Sequence, residues 1–493
     1  MTSQSDAPLV KALQDCTRRR HTAFYTPGHK RGQGISPLHQ TLFGSDIFQV
    51  DVPELPGLDD LFAPEAVILE AQHLAAQAFG ADQTCFLVNG STCGVEAALL
   101  AICGPGDQVL VPRNAHQSVL SGLILSGAMP VWITPEYEPE WQLFLGVTAA
   151  TIAAILKQNP NVKAVLVVSP TYEGVCSDLA AIAAVVHAYD LPLIVDAAHG
   201  PHLIFHPDLP PSALSSGADI VIHSVHKVLS AFTQAAMLHS QGNRVDLNRL
   251  RQALRITQSS SPSYLLLGSL DAARHQMANH GYDLMERTLE LSTQTRRQLA
   301  EQGIPVLNIA QVSRDSFQQD LTRLTVDVSI KGMTGFEADT YLHARGVTAE
   351  LPTWRLLTFI VSLGNSSQDV RSLVQGLSQL PIKSITIKKL PYQLTKPVSA
   401  MSPRDAFFSA TTICSMEAAI GQVSADTVCM YPPGIPSLMP GETITSEAVH
   451  QLSLAQSAGA HVTGLADVSL QTLRVVQTDK YPSNTSRTAV SSG

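Results

Sequence analysis

The chain has 493 residues, 45% of them hydrophobic and 15% charged, with a formal net charge of −9. Such a length exceeds what one hydrophobic core serves, so two or three domains are expected, and the composition is that of a packed globular protein rather than a disordered one. An acidic balance without a basic run gives no support to nucleic acid or an anionic membrane surface as a partner.

The first 62 residues, which include TPGHKRGQG and DVPELPGLDDL, read as an arm of turns rather than a helix, and the opening MTSQSDAPLVKALQD lacks the pattern of a signal peptide. The apolar period of PEAVILEAQHLAAQAF (64–79) predicts an amphipathic helix, closed by Gly80. Short, almost wholly apolar runs follow at 84–89, 108–113, 129–134, 164–169, 192–197 and 219–224, mostly with helical patterns between them. Strands buried on both faces and joined by helices indicate a mostly parallel α/β sheet. Residues 63–302 are thus expected to form a large domain ending in a helical connector. A smaller α+β domain is expected over 303–480, with strands at 321–329 and 381–388 and a helix at 335–346, and a disordered tail over 481–493. The seven cysteines show no CxxC pairing and sit largely among apolar neighbours, as reduced thiols in a cytoplasmic protein do. No apolar run reaches the length of a membrane span.

Four residue groups at predicted strand ends match what pyridoxal 5'-phosphate demands of a protein: an amine, a carboxylate for the pyridine nitrogen, a phosphate cradle and a ring support. Lys227 of SVHK follows the apolar strand 219–224, where burial would favour a neutral, nucleophilic amine; a lysine reaching solvent is the ordinary alternative. Asp196 closes PLIVD and is either the partner of a pyridinium or a helix N-cap. NGSTCG (89–94) leads a strand into a helix, so its backbone amides with Ser91 and Thr92 suit an anion, and Ser224 and His226 offer further donors. His116 of PRNAHQS would stack on the ring, although a lone histidine after a strand is usually a plain loop residue. His199, His202 and His206 form no zinc-helix pattern and lack a neighbouring carboxylate or cysteine, so no metal is expected. A P-loop is missing as well.

TPGHKRG (26–32), PGLDDL (56–61), PRNAHQS, PTYEGV (170–175), VDAAHG (195–200), SVHK (224–227), SYLLLGSLD (263–271), PRDAFF (403–408) and YPPGIPSLMPGE (431–442) together resemble the bacterial-type ornithine/lysine/arginine decarboxylases, in their short biosynthetic branch. The resemblance runs from about residue 20 to residue 445. It implies the aspartate-aminotransferase-like fold (fold type I) and pyridoxal phosphate held as a Schiff base on Lys227. It likewise implies Asp196 at the pyridine nitrogen, His116 on the ring and His199 beside the cofactor. Gly90, Ser91, Thr92, Ser224 and His226 would surround the phosphate. A homodimer or higher oligomer with active sites at the interface is implied too, the PPGIP segment reaching the neighbouring subunit's site. Position 197 is alanine where close relatives often carry glutamate, and VLSAFTQ follows the lysine in place of a glycine-rich LGGSLTQ.

The expected reaction is α-decarboxylation of a basic L-amino acid, arginine to agmatine first, then lysine and ornithine, with a place in polyamine biosynthesis. Asp51, Glu54 and Glu442, with Asp59 and Asp60, are the candidate carboxylates for the cationic tail. An aminotransferase clamping its substrate through Arg355, or a non-catalytic paralogue, is the alternative.

Overall fold

The computed structural model describes the chain except residues 1–2, 20–21, 313–315, 390–397, 432–434, 458–460, 465–466, 468–470 and 478–493. It divides into two compact units, Met1–Tyr392 and Gln393–Gly493.

The first unit is organised around a seven-stranded sheet: β1 (Gln83–Leu87), β2 (Gln108–Pro112), β3 (Met129–Ile133), β4 (Val162–Val168), β5 (Leu193–Asp196), β6 (Ile220–His223) and β7 (Ala236–Ser240). Their order is β1-β7-β6-β5-β4-β2-β3. The strands from β6 through β3 run parallel, while β7 pairs antiparallel with both β1 and β6. Six of the seven lie on the expected apolar runs. The seventh, β7, escaped the pattern because His239 interrupts AMLHS. Its imidazole is wholly buried, satisfied by Thr84 Oγ1 (2.8 Å) and His223 Nδ1 (3.1 Å). Burial without a nearby cation or anion holds that ring neutral, pushing its pKa down to about 3.

The N-terminal segment departs from the expected arm of turns. Helix α1 (Pro8–Arg18) buries Leu9, Leu13 and Cys16, and helix α2 (Val67–Phe79) ends, as expected, on Gly80 in the left-handed conformation. Helix α3 (Gly90–Ile102) follows β1, α4 (Gln117–Ser126) follows β2, and α5 (Tyr264–Glu301) is the connector. α1 lacks a capping side chain of its own. Asp271 of α5 supplies the cap instead, accepting from Leu9 N (3.0 Å) and Val10 N (3.3 Å), while Arg274 pairs with Asp271 and donates to Gln4 O (3.0 Å) and Asp6 O (2.7 Å). A carboxylate on orphan amides at a helix start is doubly favoured, by hydrogen bonds and by the helix dipole.

A second core of the same unit gathers Leu291, Leu299, Leu324, Val326, Leu342, Leu357 and Leu377. Its sheet has the order β8-β10-β9, formed by β8 (Arg323–Asp327), β9 (Leu351–Pro352) and β10 (Leu356–Ile360), with a helix over Gly335–His343. No strand forms at 381–388. That segment docks through Lys383 N to Lys331 O (2.9 Å) and through Trp354 Nε1 to Lys388 O (2.8 Å), leaving Ile382 and Ile385 exposed.

The second unit has a two-stranded sheet (Thr411–Ser415 with Thr472–Val476) and a three-stranded one centred on Val428–Tyr431. Its own core includes Met416, Val428, Leu438, Leu452 and Val475. PRDAFF is helical over Pro403–Phe408 because Ser402 caps it and Pro403 starts it. No helix among the described residues is long and apolar enough to cross a membrane.

Replacing Asp271 by alanine strands a buried guanidinium and uncaps α1. Urea unfolding of Asp271→Ala should show a loss of about 3–5 kcal/mol; an unchanged midpoint would mean that the anchor contributes nothing.

Candidate active site

The parallel strands converge on one edge, and the chain turns there after β2, β5 and β6. β5 ends on Asp196, β6 is followed by the single 3-10 turn Val225–Lys227, and β2 leads through His116 into α4. Three separate strands thereby bring Asp196, His116 and Lys227 into mutual electrostatic reach.

Lys227 Nζ lies 3.0 Å from His199 Nε2 and 5.1 Å from the centre of the Tyr172 ring. The Tyr172 and His199 rings are themselves 4.3 Å apart. Burial lowers the pKa of the lysine below its ordinary 10.5, against the pull of Asp196 and Glu350, with Arg323 adding to the lowering. Burial first, then the charges of Lys227, Arg323, His202 and His116, hold His199 well below the usual histidine range. His116 is lowered too, by burial and by Lys227 against Asp196. Its Nδ1 accepts from Ser118 N (3.2 Å), fixing the ring as the cap of α4.

Asp196 is 5% exposed, and its Oδ1 accepts from Ala198 N (3.1 Å). It forms no ion pair among the described residues. A buried carboxylate in that state calls for a cation. A pyridinium meets that requirement, which fits pyridoxal phosphate to this pocket.

The residues expected to cradle a phosphate lie at the start of α3 and at the end of β6. Gly90 takes φ +75°, a conformation costly for any other residue, and starts α3. Ser224 Oγ donates to Ser91 Oγ (2.7 Å), joining the β6 end to the α3 start. Thr92 occupies the first turn of that helix and His226 stands beside Lys227, its pKa lowered by burial and by the lysine. Cys93, one turn along, is inert, burial pushing its thiol up to about 12.

The other candidate residues have partners of their own. Asp51 meets His29 Nε2 (3.0 Å). Glu54 is raised by burial and by Asp60, its neighbour. Asp59 caps α2 from a distance, taking Glu65 N, Ala66 N and Ile68 N at 2.8–3.0 Å. Glu442, in the second unit, is buried and accepts from Met439 N (3.0 Å), and part of the PPGIP segment lies outside the described residues. Arg355 is held by Asp327 (2.7 Å), Ser329 and Glu140 O. The three histidines of HGPHLIFH go separate ways: His199 to Lys227, His202 to Asp320 (3.0 Å) and His206 to Glu286 (2.7 Å).

Two residues near the lysine carried no sequence signal that singled them out. Tyr172 sits within PTYEGV, a motif with no evident chemistry of its own. Arg323, wholly buried, reaches His199 from β8, 124 positions away. It donates to His199 O (3.2 Å), to His199 Nδ1 (3.4 Å) and to Thr322 Oγ1 (3.0 Å), with Asp320 Oδ2 3.6 Å off.

The description "Orn/Lys/Arg decarboxylase, major domain" matches residues 7–342, and the C-terminal domain of the same enzymes matches residues 386–479. The chain belongs to the Orn/Lys/Arg decarboxylase family. It is therefore a decarboxylase by descent. It is 37% identical, over 97% of its length and 99% of the relative's, to the arginine decarboxylase of Bacillus subtilis (strain 168). It is 25% identical to the constitutive lysine decarboxylase of Escherichia coli (strain K12), covering 93% of this chain and 78% of that one. Among solved structures, the Francisella novicida lysine decarboxylase LdcF superposes with a TM-score of 0.81 at 21% identity, over 96% of this chain and 81% of that one, which establishes the fold-type-I architecture.

Gly174 (φ +84°) guards the Arg323 conformer, since an added Cβ would stand 2.7 Å from Arg323 Cγ and 2.9 Å from Asp320 O. Gly174→Ala should cost about 2 kcal/mol in urea unfolding; wild-type stability would show that the backbone and Arg323 yield freely.

Proposed function

We propose that the protein decarboxylates a basic L-amino acid, arginine to agmatine in the first place, using pyridoxal 5'-phosphate anchored on Lys227. The observation that carries the reading is the desolvated Lys227 amine, 3.0 Å from His199 and beside a buried Asp196 that has no ion-pair partner among the described residues. When bound, the cofactor supplies a sink for the electron pair left as the substrate's carboxylate departs.

The protein's own groups divide the remaining work. Asp196 would hold the protonated ring nitrogen, and His116 would support the ring. The α3 start with Gly90, Ser91 and Thr92, together with Ser224 and His226, would hold the phosphate. The Cα–carboxylate bond breaks, CO2 leaves, and a proton takes its place at Cα. Lys227 Nζ and His199 Nε2 form the adjacent pair able to deliver that proton. The walls around them are largely buried, which favours loss of the charged carboxylate as a neutral gas.

Arginine is preferred because relatives of near-complete overlap at 36–37% identity bear the name arginine decarboxylase, whereas those named for lysine are more distant. A product with a second cationic end places the enzyme in polyamine biosynthesis. Asp51 and Glu54 of the first unit remain the proposed tail-binding carboxylates. We assign the protein to the cytoplasm, supported by seven cysteines that are all free. We assign it a homodimer or higher homo-oligomer with sites at the interface. The support is an apolar arm: Phe24, Leu38, Leu42 and Phe43 are 53–91% exposed, and the helix Pro37–Phe43 buries none of its residues within the chain.

Purified protein with added cofactor should release agmatine from L-arginine, with lower turnover of L-lysine and L-ornithine, and Lys227→Ala should release no amine. No amine from any of the three, despite bound cofactor, sinks the reading in favour of an aminotransferase or a silent paralogue. Leu42→Asp with Phe43→Asp should shift sedimentation toward a monomer, and a wild-type profile would count against the arm as the contact.

A further inference from the structure

Arg323 lies behind the site, and its hydrogen bonds constrain the proton inventory of the residue in front of it. A guanidinium has N–H groups and no lone pair to offer. Where it meets His199 Nδ1 (3.4 Å), that nitrogen must be the acceptor, so neither an imidazolium nor the Nδ1–H tautomer satisfies the contact. The ring's single proton then resides on Nε2, 3.0 Å from Lys227 Nζ. With the N–H on the histidine side, the lone pair has to be on the lysine side.

We propose that Arg323 is a positioning residue: it fixes His199 as the Nε2–H tautomer, so that the imidazole presents an N–H to Lys227 and selects the neutral amine. This deepens the cofactor-anchoring role given to Lys227 above and rests on that reading.

Arg323 is built for the task rather than merely tolerated. Asp320 and Thr322 hold one side of the guanidinium, Arg296 donates to the Arg323 carbonyl, and Gly174 leaves room for its stem. Asp320 is in turn tied to His202 Nε2 (3.0 Å), and both are fully buried. The second bond from Arg323 to His199 O (3.2 Å) locks backbone and ring together. The charged and titratable groups that face the amine are Asp196 at the end of β5, His199 beyond it, Tyr172 after β4, His116 at the start of α4, His226 on its own turn, Arg323 on β8 and Glu350 ahead of β9. The two carboxylates among them favour the ammonium. Burial, Arg323 and the histidine N–H oppose it, and the amine's lowered pKa agrees with that balance.

The test uses full-length, cofactor-free protein and no substrate, so its result is independent of whether the loaded enzyme yields an amine. Trace acetylation with acetic anhydride across a pH series, read at Lys227 by peptide mass spectrometry, gives the midpoint at which the amine becomes nucleophilic. All variants carry Asp320→Asn, so that removing the arginine leaves no lone buried carboxylate. Adding Arg323→Met should move the Lys227 midpoint upward by about one pH unit, close to tenfold slower labelling on the acid side. Loss of the guanidinium's charge alone would do part of this, so the same step is repeated in the His199→Phe background. A smaller shift there supports the proposal, and an equal shift, or none in either background, overturns it. Solid-state 15N spectra of histidine-labelled wild-type protein, with the His199 signal identified by its loss in His199→Phe, require no arginine variant. A protonated Nε2 with bare Nδ1 is expected, and the reverse pattern or a doubly protonated ring overturns the proposal.

Discussion

The structure depends on keeping a lysine amine out of water without letting it remain a lone ammonium. An isolated buried cation costs more than a domain's whole stability margin. This chain meets the difficulty by placing Lys227 on a single 3-10 turn past β6, against an imidazole and an aromatic ring, with Asp196 a strand away. The parallel sheet makes the arrangement possible. Adjacent strand ends carry the amine, the carboxylate and the ring support to one edge, and α3 turns its amide-rich start toward the same place.

Much of this could be read from the residues. Apolar runs bounded by turn residues marked six strands, because strands covered on both faces leave no polar alternation to confuse the pattern. Lys227, Asp196, His116 and Gly90 lie next to such runs, so their placement followed from the strand ends. His199, weighed from the sequence as a metal ligand and linked to the cofactor only through family likeness, lies 3.0 Å from the lysine amine.

Other features were hidden for physical reasons. α1 was masked because its cap comes from Asp271, more than 260 residues on, rather than from a serine or aspartate beside it. Asp59 looked like a substrate carboxylate, yet it serves as the remote cap of α2. β7 was obscured by a histidine that is tolerable only because Thr84 and His223 meet it across strands. Arg323 stood in a run that read as an ordinary strand, and local pattern does not report which partner a charged residue will find across the fold. Long-range polar pairing is the common thread, since periodicity records burial but not satisfaction.

The 38-residue helix α5 bears on how the first unit behaves under load. At about 1.5 Å per residue it is a rod of about 57 Å. Its first half packs Tyr264, Leu270 and Met277 into the core beneath the large sheet, and its second half packs Leu291 and Leu299 into the core around β8 and β10. A single unbroken element that contributes to both cores transmits the loss of one to the other. The two regions should therefore melt together, and slow amide exchange should extend along the rod without a weak point between them. Such a spine gives Arg323, rooted in the second core, a stiff mount from which to address an amine rooted in the first.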